Sequence, residues 1–109
     1  MSDLYEQRCS HQEGEPLNSD AANEYLSVLK QTWNLSKNHK QIEFDFMFKD
    51  FHETMSFVSA LAWIANQQDH HPDLEVGYKH CLVRFSTHSV GGLSINDFIC
   101  AAKVEKLLQ

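Results

Sequence analysis

The sequence contains no run of lysine or arginine longer than a single residue, and its 9 cations face 15 acidic side chains, for a net charge of -6 with histidine neutral. Binding to a nucleic-acid backbone needs clustered cations that displace condensed counterions, so nucleic acid is not expected as a direct partner. Adsorption to an anionic membrane is disfavoured for the same reason. No apolar run approaches the roughly 18 residues that cross a bilayer. The opening Met1-Ser2-Asp3-Leu4-Tyr5-Glu6 lacks both the basic and the apolar segment of a secretory leader. The cysteines Cys9, Cys81 and Cys100 are odd in number and show no repeated short spacing. A disulfide framework is therefore not expected, and this usage suggests a reducing cytoplasm. Internal repeats and low-complexity tracts are also missing.

What is present suffices for one domain. In 109 residues, 42% are hydrophobic and 11% aromatic, enough to bury a core. Residues 1–17 read as an irregular arm, with Gly14 and Pro16 discouraging a helix, and residues 18–109 as a single domain. Cys9 and His11 on the arm are two potential metal ligands without a second pair, which is too few for a zinc site.

Apolar residues at Ala22, Tyr25, Leu26 and Leu29 predict an amphipathic helix over 18–32, capped by Asn18 or Ser19. Ile42, Phe44, Phe46 and Phe48 alternate with Glu43, Asp45, Met47 and Lys49, the clearest strand of the sequence. Residues 33–35 offer it a short partner across a polar turn. Asp50 with Glu53 predicts a capping box opening a long helix to about Gln68, its apolar stripe running through Phe51, Met55, Val58, Ala62 and Ala65 and widened by Phe57, Leu61 and Ile64. Pro72 forbids its continuation. Val76 and Tyr78 hold one parity and Cys81, Val83 and Phe85 the other, so a bulge or tight turn lies near His80. Gly91-Gly92 marks a turn, and Ser94 with Asp97 predicts a capped final helix with Ile95, Phe98, Ile99 and Ala102 on its apolar face. The order of elements predicts an α+β fold, an antiparallel sheet with helices packed on one face.

The chemistry concentrates at Asp69-His70-His71-Pro72-Asp73. Adjacent histidines on regular structure point apart, so a shared metal would need irregular backbone and a third ligand, for which His88 is available. A polar helix end is the bland alternative, with a cationic histidine favoured by the helix dipole. Acid/base chemistry is the third reading, since histidine titrates nearest neutrality and can both give and take a proton. His71 and His88 converging at a helix end and a strand end would suit a small polar ligand. Ser86 and Thr87 would supply hydroxyls, and Asp97 could pair with a histidine or a ligand N–H.

The run Asp69-His70-His71-Pro72, followed by Tyr78, His88 and Asp97 at ordered spacing, resembles the signature of the pterin-4a-carbinolamine dehydratases. The resemblance extends over nearly the whole chain. It takes in Phe44-x-Phe46-x-Phe48 with Asp50-Phe51, Phe57, Ser86-Thr87-His88 and Gly92-Leu93-Ser94, and the Cys9 arm, Pro16-Leu17 and Trp33 resemble bacterial members. Members of that family dehydrate a 4a-hydroxytetrahydropterin to the quinonoid dihydropterin, restoring the pterin used by aromatic amino-acid hydroxylases. The resemblance implies a four-stranded antiparallel sheet with helices on one face, a homodimer or homotetramer, and chemistry needing no metal and no other cofactor. It implies His70, His71 and His88 as the acid/base and pterin-binding histidines, with Asp69, Ser86, Thr87 and Asp97 lining or orienting the site. The resemblance also covers members that act as interaction partners of transcription factors and members assigned to a different pterin, in molybdopterin metabolism, so a weakly active or non-catalytic pterin-binding or interaction protein is the alternative.

This sequence departs from the signature at one place. The family usually carries an acidic residue four positions before the first histidine, where this chain has Asn66. Asn66 and His70 are spaced i, i+4 on the last helical turn, so they can touch. A carboxylate there would raise a neighbouring histidine's pKa, whereas asparagine offers a hydrogen bond without charge. Activity is therefore expected to be present but reduced, with the acidic limb of its pH profile shifted downward.

Overall fold

A computed structural model describes residues 3–108; Met1, Ser2 and Gln109 lie outside it, and with them the outer ends of the arm and domain spans expected from the sequence. The elements are α1 (Ser19–Leu26), β1 (Asn34–Leu35), β2 (Ile42–Met47), α2 (Phe51–Gln68), β3 (Asp73–Val76), β4 (His80–Phe85) and α3 (Ile95–Lys106), with single 3-10 turns at Leu4–Glu6 and His88–Val90. The strands form one antiparallel sheet in the order β1-β2-β4-β3. This is the α+β architecture expected. Among the described residues no helix is long and apolar enough to cross a membrane.

Period-two alternation decides the two faces of the sheet. Ile42 and Phe46 of β2 and Cys81, Val83 and Phe85 of β4 are buried and meet α2 and α3. Trp33, Phe44, Phe46, Phe57 and Phe85 interlock there with ring centroids 4.7–6.1 Å apart. A fully buried phenylalanine contributes about 1.5–3 kcal/mol, so this cluster is what holds the layers together. The opposite face carries exposed ion pairs, Arg84 with Glu43 and Glu75, which add little in water.

The helices differ from expectation in instructive ways. Asn18 caps α1 by accepting from the Ala21 N–H, but the helix stops at Leu26 rather than near Thr32. The buried Glu105 carboxylate of α3 accepts from the Lys30 and Gln31 N–H groups and from Trp33 Nε1, drawing residues 30–33 out of helical geometry. Asp50 caps α2 through the Glu53 N–H, yet Glu53 answers to the Lys49 N–H rather than to Asp50, so only half the capping box forms. The core stripe of α2 is Thr54, Phe57, Leu61, Ile64 and Ala65, while Phe51, Met55 and Ala62 are exposed. Buried Thr54 Oγ1 lies 2.9 Å from the carbonyls of both Asp50 and Tyr78, tying the helix start to the β3–β4 turn. That turn is tight, closed by Gly77 N–H donating to the His80 carbonyl.

Residues 3–17 run along α3. Leu4 is buried in the core, Lys103 Nζ donates to the Tyr5 carbonyl, and Leu17 N–H donates to the Leu93 carbonyl. A Cβ at Gly92 would lie 2.9 Å from Pro16 Cβ, so the close approach of the arm requires glycine there.

Candidate active site

The end of α2 is shaped by Asp69, which caps the helix in the left-handed conformation (φ 50, ψ 44). Aspartate tolerates this region better than most residues, and the reversal ends the helix before Pro72 could act. The His70 N–H still reaches the Ala65 carbonyl at 3.1 Å. Its ring is thereby laid nearly parallel to Phe85 of β4, centroids 6.1 Å apart.

His70 Nε2 then donates to Asp97 Oδ1 at 2.6 Å. Asp97 sits in the first turn of α3 and is completely buried, as only a carboxylate with several donors can afford to be. Oδ2 accepts from the Ser94 N–H and from the Thr87 hydroxyl, which itself accepts from Ser94 Oγ. Ser94 and Asp97 thus complete the capping box expected from sequence. The same carboxylate serves helix and histidine, with the positive end of the α3 dipole behind it. Burial disfavours a charged ring, but the hydrogen bond and charge of Asp97, helped by Cys9 and Asp69, outweigh it and raise the His70 pKa above its ordinary value. Nδ1 has no partner among the described residues.

His71 has a different partner. Its Nε2 donates to Asn66 Oδ1 at 3.0 Å, and the ring is exposed. Asn66 therefore touches His71 and not His70, contrary to the i, i+4 expectation, because the left-handed Asp69 ends the helical geometry on which that spacing rests.

A cleft of about 390 Å³ opens in front of His70. Gln68, Asp69 and His70 form one wall, Thr87, His88 and Ser89 a second, Asn96 the floor at α3, and Cys9, Ser10, His11 and Gln12 of the arm the last. The volume lies in the range of small-molecule sites. Of the residues singled out from sequence, Asp69, His70, Thr87 and His88 line the cleft, with Asp97 behind His70. Asn66, His71 and the exposed Ser86 are not among its walls, and the signature residue Tyr78 stacks on Phe51 instead. A larger cavity of about 720 Å³, between the arm, the C-terminal half of α2 and the end of α3, is lined by Tyr5, Trp63, Lys103 and Lys106 among others, but by none of the signature residues.

The arm wall was not foreseen. The buried Asn96 side chain pairs with the Ser10 backbone, Nδ2 donating to the carbonyl at 2.7 Å and Oδ1 accepting from the N–H at 3.2 Å. Gln68 Oε1 accepts from the Cys9 N–H, and the Ser89 hydroxyl donates to the Gln12 carbonyl. Asn96 beside Asp97, a second polar residue in the first turn of a helix that must bury itself, was the one available signal. Among the described residues no three His, Cys, Asp or Glu side chains converge as a metal ion would need. His11, weighed as a ligand on sequence, pairs instead with Glu13.

Comparison with known proteins gives the family of the chain. A Legionella pneumophila (strain Corby) protein bearing the name of a pterin-4-alpha-carbinolamine dehydratase is 50% identical over 98% of this chain and 96% of its own. A Nitrosomonas eutropha protein of the same name is 49% identical over 99% and 96%. A Brucella melitensis crystal structure described as a transcriptional coactivator/pterin dehydratase superposes with a TM-score of 0.82 at 29% identity, covering 87% of this chain and all of that one. The family model for pterin 4 alpha carbinolamine dehydratase matches residues 15–107. With the family model matching most of the chain and relatives about half identical over nearly its full length, the chain belongs to the pterin 4 alpha carbinolamine dehydratase family of hydro-lyases.

Proposed function

We propose that the cleft binds a 4a-hydroxytetrahydropterin and that His70, braced by Asp97, gives the proton with which the 4a-hydroxyl leaves as water. The observation that carries this reading is the 2.6 Å bond between a cleft-lining histidine and a fully buried carboxylate. With Nε2 committed to Asp97, Nδ1 is the ring atom available to the ligand. The raised pKa favours a proton on it relative to an ordinary histidine. The N5 lone pair expels the hydroxyl from C4a as that oxygen is protonated, leaving C4a doubly bonded to N5. Loss of the N5 proton then yields the quinonoid dihydropterin. His88, exposed on the same cleft, is positioned to accept that proton. His71, held by Asn66 outside the cleft walls, is the third histidine of the signature and acts on the ligand only from that exposed position. Thr87 acts through Asp97, Asp69 contributes its charge at the cleft wall, and Ser86 binds at the periphery.

In this reading the enzyme regenerates the pterin of aromatic amino-acid hydroxylases in the cytoplasm, as a homodimer or homotetramer. The outer strands β1 and β3 leave edges on which copies can pair. The test is a stopped-flow assay of 4a-hydroxytetrahydropterin dehydration. The protein is expected to accelerate loss of the hydroxyl, and His70→Ala and His88→Ala to slow it by about 10²–10⁴-fold. Binding of the pterin without acceleration would overturn the reading and favour a non-catalytic pterin-binding or regulatory protein, a role to which the double description of the Brucella relative lends support.

A further inference from the structure

Two thirds of the cysteines meet where the proposed chemistry has no use for them. Cys9 Sγ on the arm lies 3.5 Å from Cys100 Sγ on α3, 91 residues away in the chain. Cys9 is half-buried and lines the 390 Å³ cleft, with its Sγ also 3.6 Å from the Asn96 carbonyl. Cys100 is fully buried behind it, one helical turn beyond Asp97. Cys81 is also fully buried, but on β4 within the core, away from the cleft walls.

The electrostatics of the three thiols differ accordingly. The hydrogen bond shared with Cys100, together with the charges of His70 and Lys103, holds the Cys9 thiol below its ordinary value despite burial. The hydrogen bond to Cys9 and burial push Cys100 far up, while burial pushes Cys81 up to about 11. Thiolates, not thiols, are the nucleophiles.

We propose that Cys9 and Cys100 form a peroxide-reactive thiol pair, in which Cys9 is oxidised by hydrogen peroxide entering the cleft and Cys100 resolves the product to a disulfide. The Cys9 thiolate attacks one peroxide oxygen, the O–O bond breaks, and hydroxide leaves as water with a proton, giving a Cys9 sulfenic acid. Once Cys9 is a neutral sulfenic acid, the hydrogen bond and charge of Cys9 that push the Cys100 thiol up are gone. Cys100 gives its proton to the departing hydroxide, which leaves as a second water, while its sulfur attacks the Cys9 sulfur. Two thiols thereby lose two electrons and two protons, and one peroxide becomes two waters. Closing the bond brings the sulfurs from 3.5 Å to about 2.05 Å, a movement within reach of a side chain on an arm outside regular structure. The product fixes the arm, and with it the Cys9–Gln12 wall of the cleft, to the helix that carries Asp97. This holds whether or not the cleft dehydrates pterins.

The test is to expose the full chain to hydrogen peroxide, count free thiols after denaturation, and map linked peptides. The count is expected to fall from three to one, with Cys9 joined to Cys100 within one chain and both thiols restored by dithiothreitol. Cys9→Ser should lose its remaining thiols at least about tenfold more slowly. Cys100→Ser should stop at a Cys9 sulfenic acid that dimedone traps, and Cys81→Ser should form the same link as the parent. Survival of all three thiols, a link through Cys81, a link between chains, or equal loss in Cys9→Ser would each overturn the proposal.

Discussion

His70 presents its Nε2 to a carboxylate with no solvent exposure, whereas His71, the next residue, presents its Nε2 to the amide of Asn66 at an exposed helix end. The first ring is clamped between Phe85 and Asp97, and its charge is decided in a medium where water screens little. The second has a partner that can orient it but brings no charge. Left-handed Asp69 separates the two fates by turning the chain between the helix and the histidines. Two identical side chains side by side thus meet different electrostatic surroundings through backbone geometry and the depth of the partner.

The largest effect is expected from removing the difference at its source. Asp97→Asn gives His70 an amide like that of His71 and leaves Ser94 N–H, Thr87 and His70 sharing one carbonyl oxygen. Dehydration should slow by about 10²–10⁴-fold. Urea unfolding should show a loss on the order of 3–5 kcal/mol, the scale for breaking a buried pair. An unchanged rate would show that the buried carboxylate does not serve the chemistry.

Asn66→Glu works from the other side and gives His71 the carboxylate that it lacks. A carboxylate favours the imidazolium, so a step that needs neutral His71 fails at higher pH. The acid limb of the pH–rate profile should move upward by up to about one unit, limited by solvent exposure. Indistinguishable profiles would remove His71 from the account.

A third effect is read in stability. Because folding raises the His70 pKa above its ordinary 6.5, the stabilisation that its protonated form contributes is complete below that value and is lost as pH rises through the raised folded value. The stability advantage of the parent over His70→Gln should therefore shrink across that interval and be flat below it. A gap that widens with pH would contradict the sign. The smallest effect belongs to His71→Gln, whose stability should lie within about 0.5 kcal/mol of the parent because its ring covers nothing buried.

Much of this arrangement was legible because its signals are local. Alternation along β2, the Ser94–Asp97 capping box and the turn before His80 each rest on a few neighbouring residues, and each appears where expected. The face of α2 was misjudged because apolar residues surround that helix, so periodicity alone does not choose between Met55 and Leu61. The partner of Asn66 depended on one positive φ at Asp69, which helical spacing does not reveal. Glu105 holding residues 30–33 and the arm closing the cleft are long-range contacts with no periodic trace. The candidate histidines were nameable from their ordered spacing. Their different partners needed three dimensions.

The claim at the centre of this account is that Asp97 holds a proton on His70. Following the imidazole nitrogens through a pH titration by ¹H–¹⁵N nuclear magnetic resonance, in the parent and in Asp97→Asn, tests it most directly. The account predicts that His70 titrates above its ordinary value in the parent and falls in the variant, while Nε2 of the parent ring keeps its proton throughout. Titration at or below 6.5 in the parent, or no change in Asp97→Asn, would contradict it.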